Sequence, residues 1–308
     1  MHALYTTLRN LFCGSLAMAV IASGRVGRAK RRTLSSNVVT AIYFHNPNKR
    51  LFAKCMKWLT GNGYTFISAD ELMNILHRGE QPPKGAVWLS CDDGFKRFLT
   101  TVLPVISERT IPITIFLPSG IIAGDGLFPW LHVNRCWDEK QTAKSRNGLR
   151  DSITVDDLKM ISMYSQVTIG SHTVRHAITA GLSHDKLRFD ITECKRDLES
   201  WTGRTVTCFA YPEGRFDGAE RYVLKEAGYQ LAATTQPTFI ALETDPYTVP
   251  RFNVGDEIWL PEAICNMTGV WRSAIDPVQH LSQSVSRLLS LVRDFASTRD
   301  INSSRPAL

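Results

Sequence analysis

Residues 85–99 read GAVWLSCDDGFKRFL. The stretch begins as a short apolar run of the length of a buried strand. It stops at two adjacent acids, Asp92 and Asp93, and a glycine. A helix-like segment, KRFLTTVLPVISER (96–109), follows. Strand, polar turn and helix make a βα unit. Two carboxylates side by side repel each other and lose hydration when buried. Their position at a strand's C-terminal end points to chemistry, because parallel α/β folds place their functional groups there.

The same alternation extends to both sides. VVTAIYFH (38–45), TFIS, IPITIFLP (111–118), QVTIGSH, TVTCFAYPEG and QLAAT read as strands, and YTVPRFNV as a last one. Helical periodicity, serine or threonine caps and glycine stops fill the intervals. Strands alternating with helices predict parallel strands with right-handed crossovers, in an open sheet or a closed barrel. Residues 119–152 lack periodicity and read as a surface insertion carrying Trp130 and Trp137. The expected organisation is a tail over 1–36, a barrel over 37–265 and a C-terminal helix and tail over 266–308.

Polar outliers collect at the predicted strand ends: His45, Asp92 with Asp93, His172, and Tyr211-Pro212-Glu213. SHTVRH sets His172 and His176 four residues apart, so one helical turn or a tight loop brings both imidazoles to one side. Two neutral histidines and one carboxylate make a facial site for Zn2+ or a similar divalent ion, with positions open for water and substrate. A cation there also accounts for the paired acids: one ligates it, and the other stays beside it as a base.

On these residues the chain resembles the polysaccharide deacetylases, carbohydrate esterase family 4, with the NodB homology domain. SCDDG is similar to the family's first motif, HTVRH to its second and FAYPEG to its third. FAYPEG and IYFHNP together are similar to the branch acting on O-antigen and poly-N-acetylglucosamine. The resemblance covers roughly residues 38–255. It implies a distorted (β/α)7 barrel, an α/β fold. It implies Asp92 as catalytic base, Asp93, His172 and His176 as ligands of a divalent metal, Zn2+ first, and Tyr211-Pro212-Glu213 lining the groove and the oxyanion site. The implied reaction is hydrolysis of N-acetyl groups on a glycan of the cell envelope, lipopolysaccharide included, or on its precursor. Two departures stand out. The third motif's arginine is replaced by apolar residues, for which Arg251 is the substitute candidate. The late Leu-x-His is missing, since His280 sits in the wrong context, and His45 is the candidate proton donor. These departures keep two rival readings open: a catalytically impaired glycan-binding barrel, or an amidase acting on another carbon–nitrogen bond.

Composition bounds the rest. The net charge is +7, and residues 1–36 supply Arg9, Arg25, Arg28, Lys30, Arg31 and Arg32 with no acid, so the remainder carries +1. The basic balance therefore describes a tail and not a nucleic-acid face. Within the tail, the apolar run 11–23 followed by GRVGRAKRR reads as too short to span a bilayer. The expectation is a peripheral contact with the inner membrane surface of a bacterial cytoplasm. The alternative is a secretory leader that places the protein in the periplasm. Seven cysteines without a CxxC pair suit free buried thiols in a reducing compartment.

Overall fold

The computed structural model describes residues 2–124, 126–128 and 151–277. Its centre is an all-parallel sheet of eight strands: β1 (Thr40–Phe44), β2 (Thr65–Ile67), β3 (Ala86–Cys91), β4 (Ile113–Leu117), β5 (Val167–Ser171), β6 (Cys208–Ala210), β7 (Leu231–Ala233) and β8 (Phe252–Asn253). The order is β7-β6-β5-β4-β3-β1-β8, with β2 off this path. Seven strands thus form the path. The eighth, β2, pairs with the N-terminal half of β3 (Thr65 opposite Ala86), and β4 takes its C-terminal half (Ser90 opposite Thr114). The sheet curls until its ends meet. Val249 forms a parallel bridge to Ala233 of β7, and three residues later Phe252 pairs with Ile42 of β1.

Curling gives each strand an inside and an outside, and the period of two sorts its side chains between them. Trp88 of β3 joins Ala41, Phe116, Ala210, Ala233 and Val249 in one buried cluster inside the curl. Val87, Leu89 and Cys91 belong to a second, larger cluster against the helices. Both faces are buried, which explains why these strands read as near-continuous apolar runs. The inner space is tight. A Cβ on Gly170 would lie 2.5 Å from the Phe116 ring, so β5 carries no side chain there.

Outside the sheet lie α3 (Lys49–Gly61), α4 (Ala69–Arg78), α5 (Leu103–Arg109), the short α6 (Ser119–Ala123), α7 (Val155–Ser162), α8 (His184–Thr202), α9 (Glu220–Glu226) and α10 (Leu260–Met267). The sequence signals that start them are physical caps. Ser68 and Glu71 form a reciprocal capping box on α4, and Thr154 and Asp157 form one on α7. Each cap satisfies N–H groups that the helix cannot pair itself, worth about 1 kcal/mol apiece. The six described cysteines are free and buried. Of the insertion read at 119–152, the described ends pack beside the Asp-Asp-Gly turn. Phe95 bridges to Ser152, and Phe128 packs on Phe95 and Ile121. Trp130, Trp137, His280 and the C-terminal helix read over 280–295 lie outside the described residues.

The N-terminal segment differs from its reading as a detached tail. It forms α1 (His2–Ala22) and α2 (Arg25–Ser35), and α1 docks on α10. Arg9 pairs with the buried Glu262 at 2.5 Å, Asn10 donates to Glu257 O at 2.8 Å, and Ala17 and Val20 join the outer core. Gly14 lies against the Trp259 ring, where a Cβ would come within 2.6 Å. The helix from Leu4 to Ala22 has 19 residues and a mean hydropathy of 1.3. By length and composition it could cross a bilayer, so the reading of an apolar run too short to span is corrected. That reading stopped at Arg9, whose charge is in fact met by Glu262, 253 residues away.

Candidate metal and hydrolytic site

Two strand ends deliver the core of the site. β3 ends in Asp92 and Asp93, and the Asp92 N–H extends the ladder to Phe44 O at 2.9 Å. β5 ends in His172, whose N–H reaches Leu117 O at 3.0 Å. A tight loop then returns His176 to the same side. The ligand atoms of Asp93, His172 and His176 all lie within 4.8 Å of one another. Asp93 Oδ1 is 3.5 Å from Nε2 of both imidazoles. It is buried and makes no hydrogen bond, an arrangement that costs stability unless something else meets the oxygen.

His172 is held in a definite orientation beside it. Its Nδ1–H donates to Ala210 O at 2.7 Å. The carbonyl can only accept, so Nδ1 carries a proton and Nε2 is turned toward Asp93, the kind of outer hydrogen bond by which proteins orient a metal-ligating imidazole. Burial works to lower the His172 pKa. The Asp93 contact and the charges of Asp92 and Asp93 outweigh it, so the pKa lies above its usual value. Burial, and then the neighbouring His172, push His176 down to about 4. Burial would raise the Asp93 carboxyl, but the histidines, His172 first, hold it below the carboxylate range. The donor set, the orphaned oxygen and the fixed tautomer together fit a divalent ion. One consequence is measurable. An ion must displace the proton that the raised His172 tends to carry. Metal affinity is therefore expected to fall as pH falls through the imidazole range, with proton release on binding. Calorimetry in buffers of different ionisation enthalpy reads this, and an affinity independent of pH contradicts it.

Asp92 borders the same cleft and is held from behind. Its Oδ1 and Oδ2 each accept from the Arg251 guanidinium at 2.8 Å. Arg251 is fully buried. It also donates to Ser90 Oγ at 2.9 Å and to Thr234 O at 3.1 Å, and it lies 4.4 Å from the Tyr43 ring centre. An arginine suits this place because its planar fork meets both carboxylate oxygens while its face stacks on an aromatic ring. Arg251 comes from the seam segment between Val249 and β8, far in sequence from the third motif whose arginine is absent.

The site opens into a cleft of about 490 Å3 bordered by Tyr43, His45, Phe95, Glu213 and Thr235 besides the residues above. His45, after β1, is held by its backbone: the His45 and Asn46 N–H groups point to Asp256 Oδ1 at 3.4 and 2.8 Å. Asp256 borders the cleft too, and burial raises its pKa against the opposing backbone hydrogen bonds. The sequence reading missed it. The signal was present, a polar residue two positions past the strand read at YTVPRFNV. Tyr211 borders the cleft yet offers it no phenol. Its hydroxyl donates to Tyr247 O at 3.0 Å and its ring stacks on Phe216. Pro212 is buried, while Glu213 is exposed.

Four of the five non-glycine residues with positive φ among those described sit here: Asp93 (70°), Thr173 (61°), His176 (58°) and Glu213 (56°). Left-handed backbone disfavours such side chains and survives where surrounding structure enforces it, often at functional sites.

The polysaccharide deacetylase family pattern matches residues 79–232, half of the chain. YxkH of Bacillus subtilis (strain 168), which carries the same family name, is 23% identical over 206 residues, 67% of this chain and 64% of YxkH. The poly-beta-1,6-N-acetyl-D-glucosamine N-deacetylase of Escherichia coli (strain K12) is 22% identical over 73% of this chain and 36% of its own length. The chain therefore spans less than two thirds of either relative. In fold it is similar to the Streptococcus pyogenes deacetylase PplD in complex with acetate, with a TM-score of 0.61 at 18% identity over 75% of this chain and 98% of PplD. With the curled parallel sheet and the Asp-Asp and His-His strand ends in place, the family match settles the affiliation: the chain belongs to the polysaccharide deacetylase family.

Proposed function

We propose that the chain is a metal-dependent hydrolase that removes N-acetyl groups from amino sugars of a bacterial polysaccharide or its precursor, with Zn2+ as its ion. The observation that carries this reading is the division of labour between the two adjacent acids. Asp93 is left open to an ion, and Asp92 is locked against Arg251 beside it. The name of the Escherichia coli relative supports poly-N-acetylglucosamine as the substrate class.

A divalent ion held by Asp93, His172 and His176 would supply Lewis-acid polarisation of an acyl oxygen and lower the pKa of water. The chain's own groups do the rest. Asp92 takes the proton of the attacking water; each of its oxygens keeps a lone pair beyond the one that meets Arg251. The oxyanion donor follows by elimination within the turn after β6. The Tyr211 N–H is committed to Ala233 O at 3.0 Å, and Pro212 has none, so the Glu213 N–H is the one offered to the acyl oxygen. Its left-handed φ of 56° turns the peptide for that purpose. His45, fixed through Asp256, supplies the proton to the departing amine. The C–N bond breaks, and acetate and a free amine leave.

The experiment is acetate release from a β-1,6-linked N-acetylglucosamine oligomer by protein loaded with Zn2+, beside a chelator-treated control. Acetate from the loaded sample alone is the expected result. Glycan binding without acetate would favour the impaired-barrel reading. Release of formate or ring opening of a cyclic amide, with no acetate, would favour the other amidase.

A further inference from the structure

The N-terminal half of α1 turns polar groups inward and large apolar ones outward. On a helix packed against a soluble domain, apolar residues face inward and polar ones face solvent. Here Arg9 and Asn10 face the protein, ion-paired with Glu262 and hydrogen-bonded to Glu257 O, alongside the small residues Gly14 and Ala17. The opposite face carries Leu4, Tyr5, Leu8, Leu11, Phe12 and Met18, each about half exposed or more. These are six of the eleven large apolar side chains exposed among the described residues. They recur at spacings of three and four, so they form a single stripe. Directly after it, α2 exposes Arg28, Arg31 and Arg32, and residues 1–36 hold no acid.

We propose that this stripe is a membrane-docking surface, seated in the headgroup–acyl boundary of an anionic bilayer, with the α2 cations at the lipid phosphates. The pairing of an apolar face with adjacent cations selects anionic lipid over a neutral surface or a protein groove. The inner contacts select lying on the bilayer over crossing it. A crossing α1 would leave α10 and strand Glu262, 1% exposed, without its cation. Docked this way, the helix holds the barrel at the membrane through the Glu257–Glu262 region, next to Asp256 and the cleft.

The test uses the full chain with vesicles of phosphatidylcholine alone and of phosphatidylcholine mixed with phosphatidylglycerol. The parent is expected to co-sediment with the mixed vesicles and to release them at high salt. R28Q/R31Q/R32Q should weaken binding on the order of a hundredfold. L8Q/L11Q/F12Q should weaken it at least about tenfold. Both variants should keep the parent melting temperature and the parent turnover of a soluble oligosaccharide, because the altered side chains touch neither core nor cleft. The proposal is overturned by parent-like binding in both variants or by no parent binding at all. Resistance to alkaline carbonate extraction would mark a crossing helix. A mature chain beginning near Ser23 would mark a cleaved leader. Melting of L8Q/L11Q/F12Q far below the parent would show that protein, not lipid, covers the stripe.

Discussion

Asp92→Asn is expected to bind a divalent ion as the parent does and to turn over an N-acetylated glycan about a hundred to ten thousand times more slowly, the usual range for loss of a general base. The substitution keeps the shape of the side chain and one acceptor oxygen for Arg251. It removes the charge that accepts the proton. It also leaves the fully buried Arg251 guanidinium without a counter-charge, and breaking such a pair from one side costs about 3–5 kcal/mol. A fall in rate must therefore be separated from a fall in folded protein. Turnover is measured at a temperature where circular dichroism shows the variant folded, beside Asp92→Asn/Arg251→Gln, which removes both charges. The double variant should regain stability and stay inactive. Parent-like turnover by folded Asp92→Asn would sink the assignment of the base.

His172→Ala should lower divalent-metal affinity by at least about a hundredfold, more than the ten- to hundredfold cost of losing a partner one shell further out. Two ligand atoms remain of the Asp93-His172-His176 cluster found among the described residues. Equilibrium dialysis against the parent reads the effect. Stoichiometric, parent-like metal in the variant would mean that the ion, if bound, is held elsewhere. The two experiments together test the division of the acids, since one variant should keep metal without turnover and the other should lose both.

Much of this architecture was legible because buried parallel strands advertise themselves. β1, β3 and β4 are largely apolar runs and β5 a short β-branched one, and the polar residues that follow them mark the rim where Asp92, Asp93 and His172 converge. Arg251 was legible only as a substitute candidate for a missing arginine, because nothing local shows that its segment folds inside the curl. The docking of α1 was not legible. Arg9 and Asn10 look like solvent-facing residues until Glu262 and Glu257 are brought to them from the far end of the chain. Asp256 escaped for a similar reason: it lies two residues past the strand read at YTVPRFNV, and only the fold shows that its carboxylate reaches back to the His45 and Asn46 amides. Local pattern reveals what local physics decides, and it is silent where a partner arrives from two hundred residues away.

The seam between β7 and β1 has a consequence for how the molecule lives. Val249 on one side and Phe252–Asn253 on the other are short paired stretches that close the curl, and Arg251 stands between them, its own N–H on Gln236 O at 2.9 Å. Any fluctuation that parts the seam withdraws the arginine from Asp92 at the same moment. With Asp92 as the proposed base, loss of closure also removes its partner, and a partly opened molecule is expected to be silent rather than sluggish. The amides of this short segment should accordingly exchange with solvent more readily than those of β3 and β4. Their protection should report, from outside the cleft, the fraction of molecules ready to react.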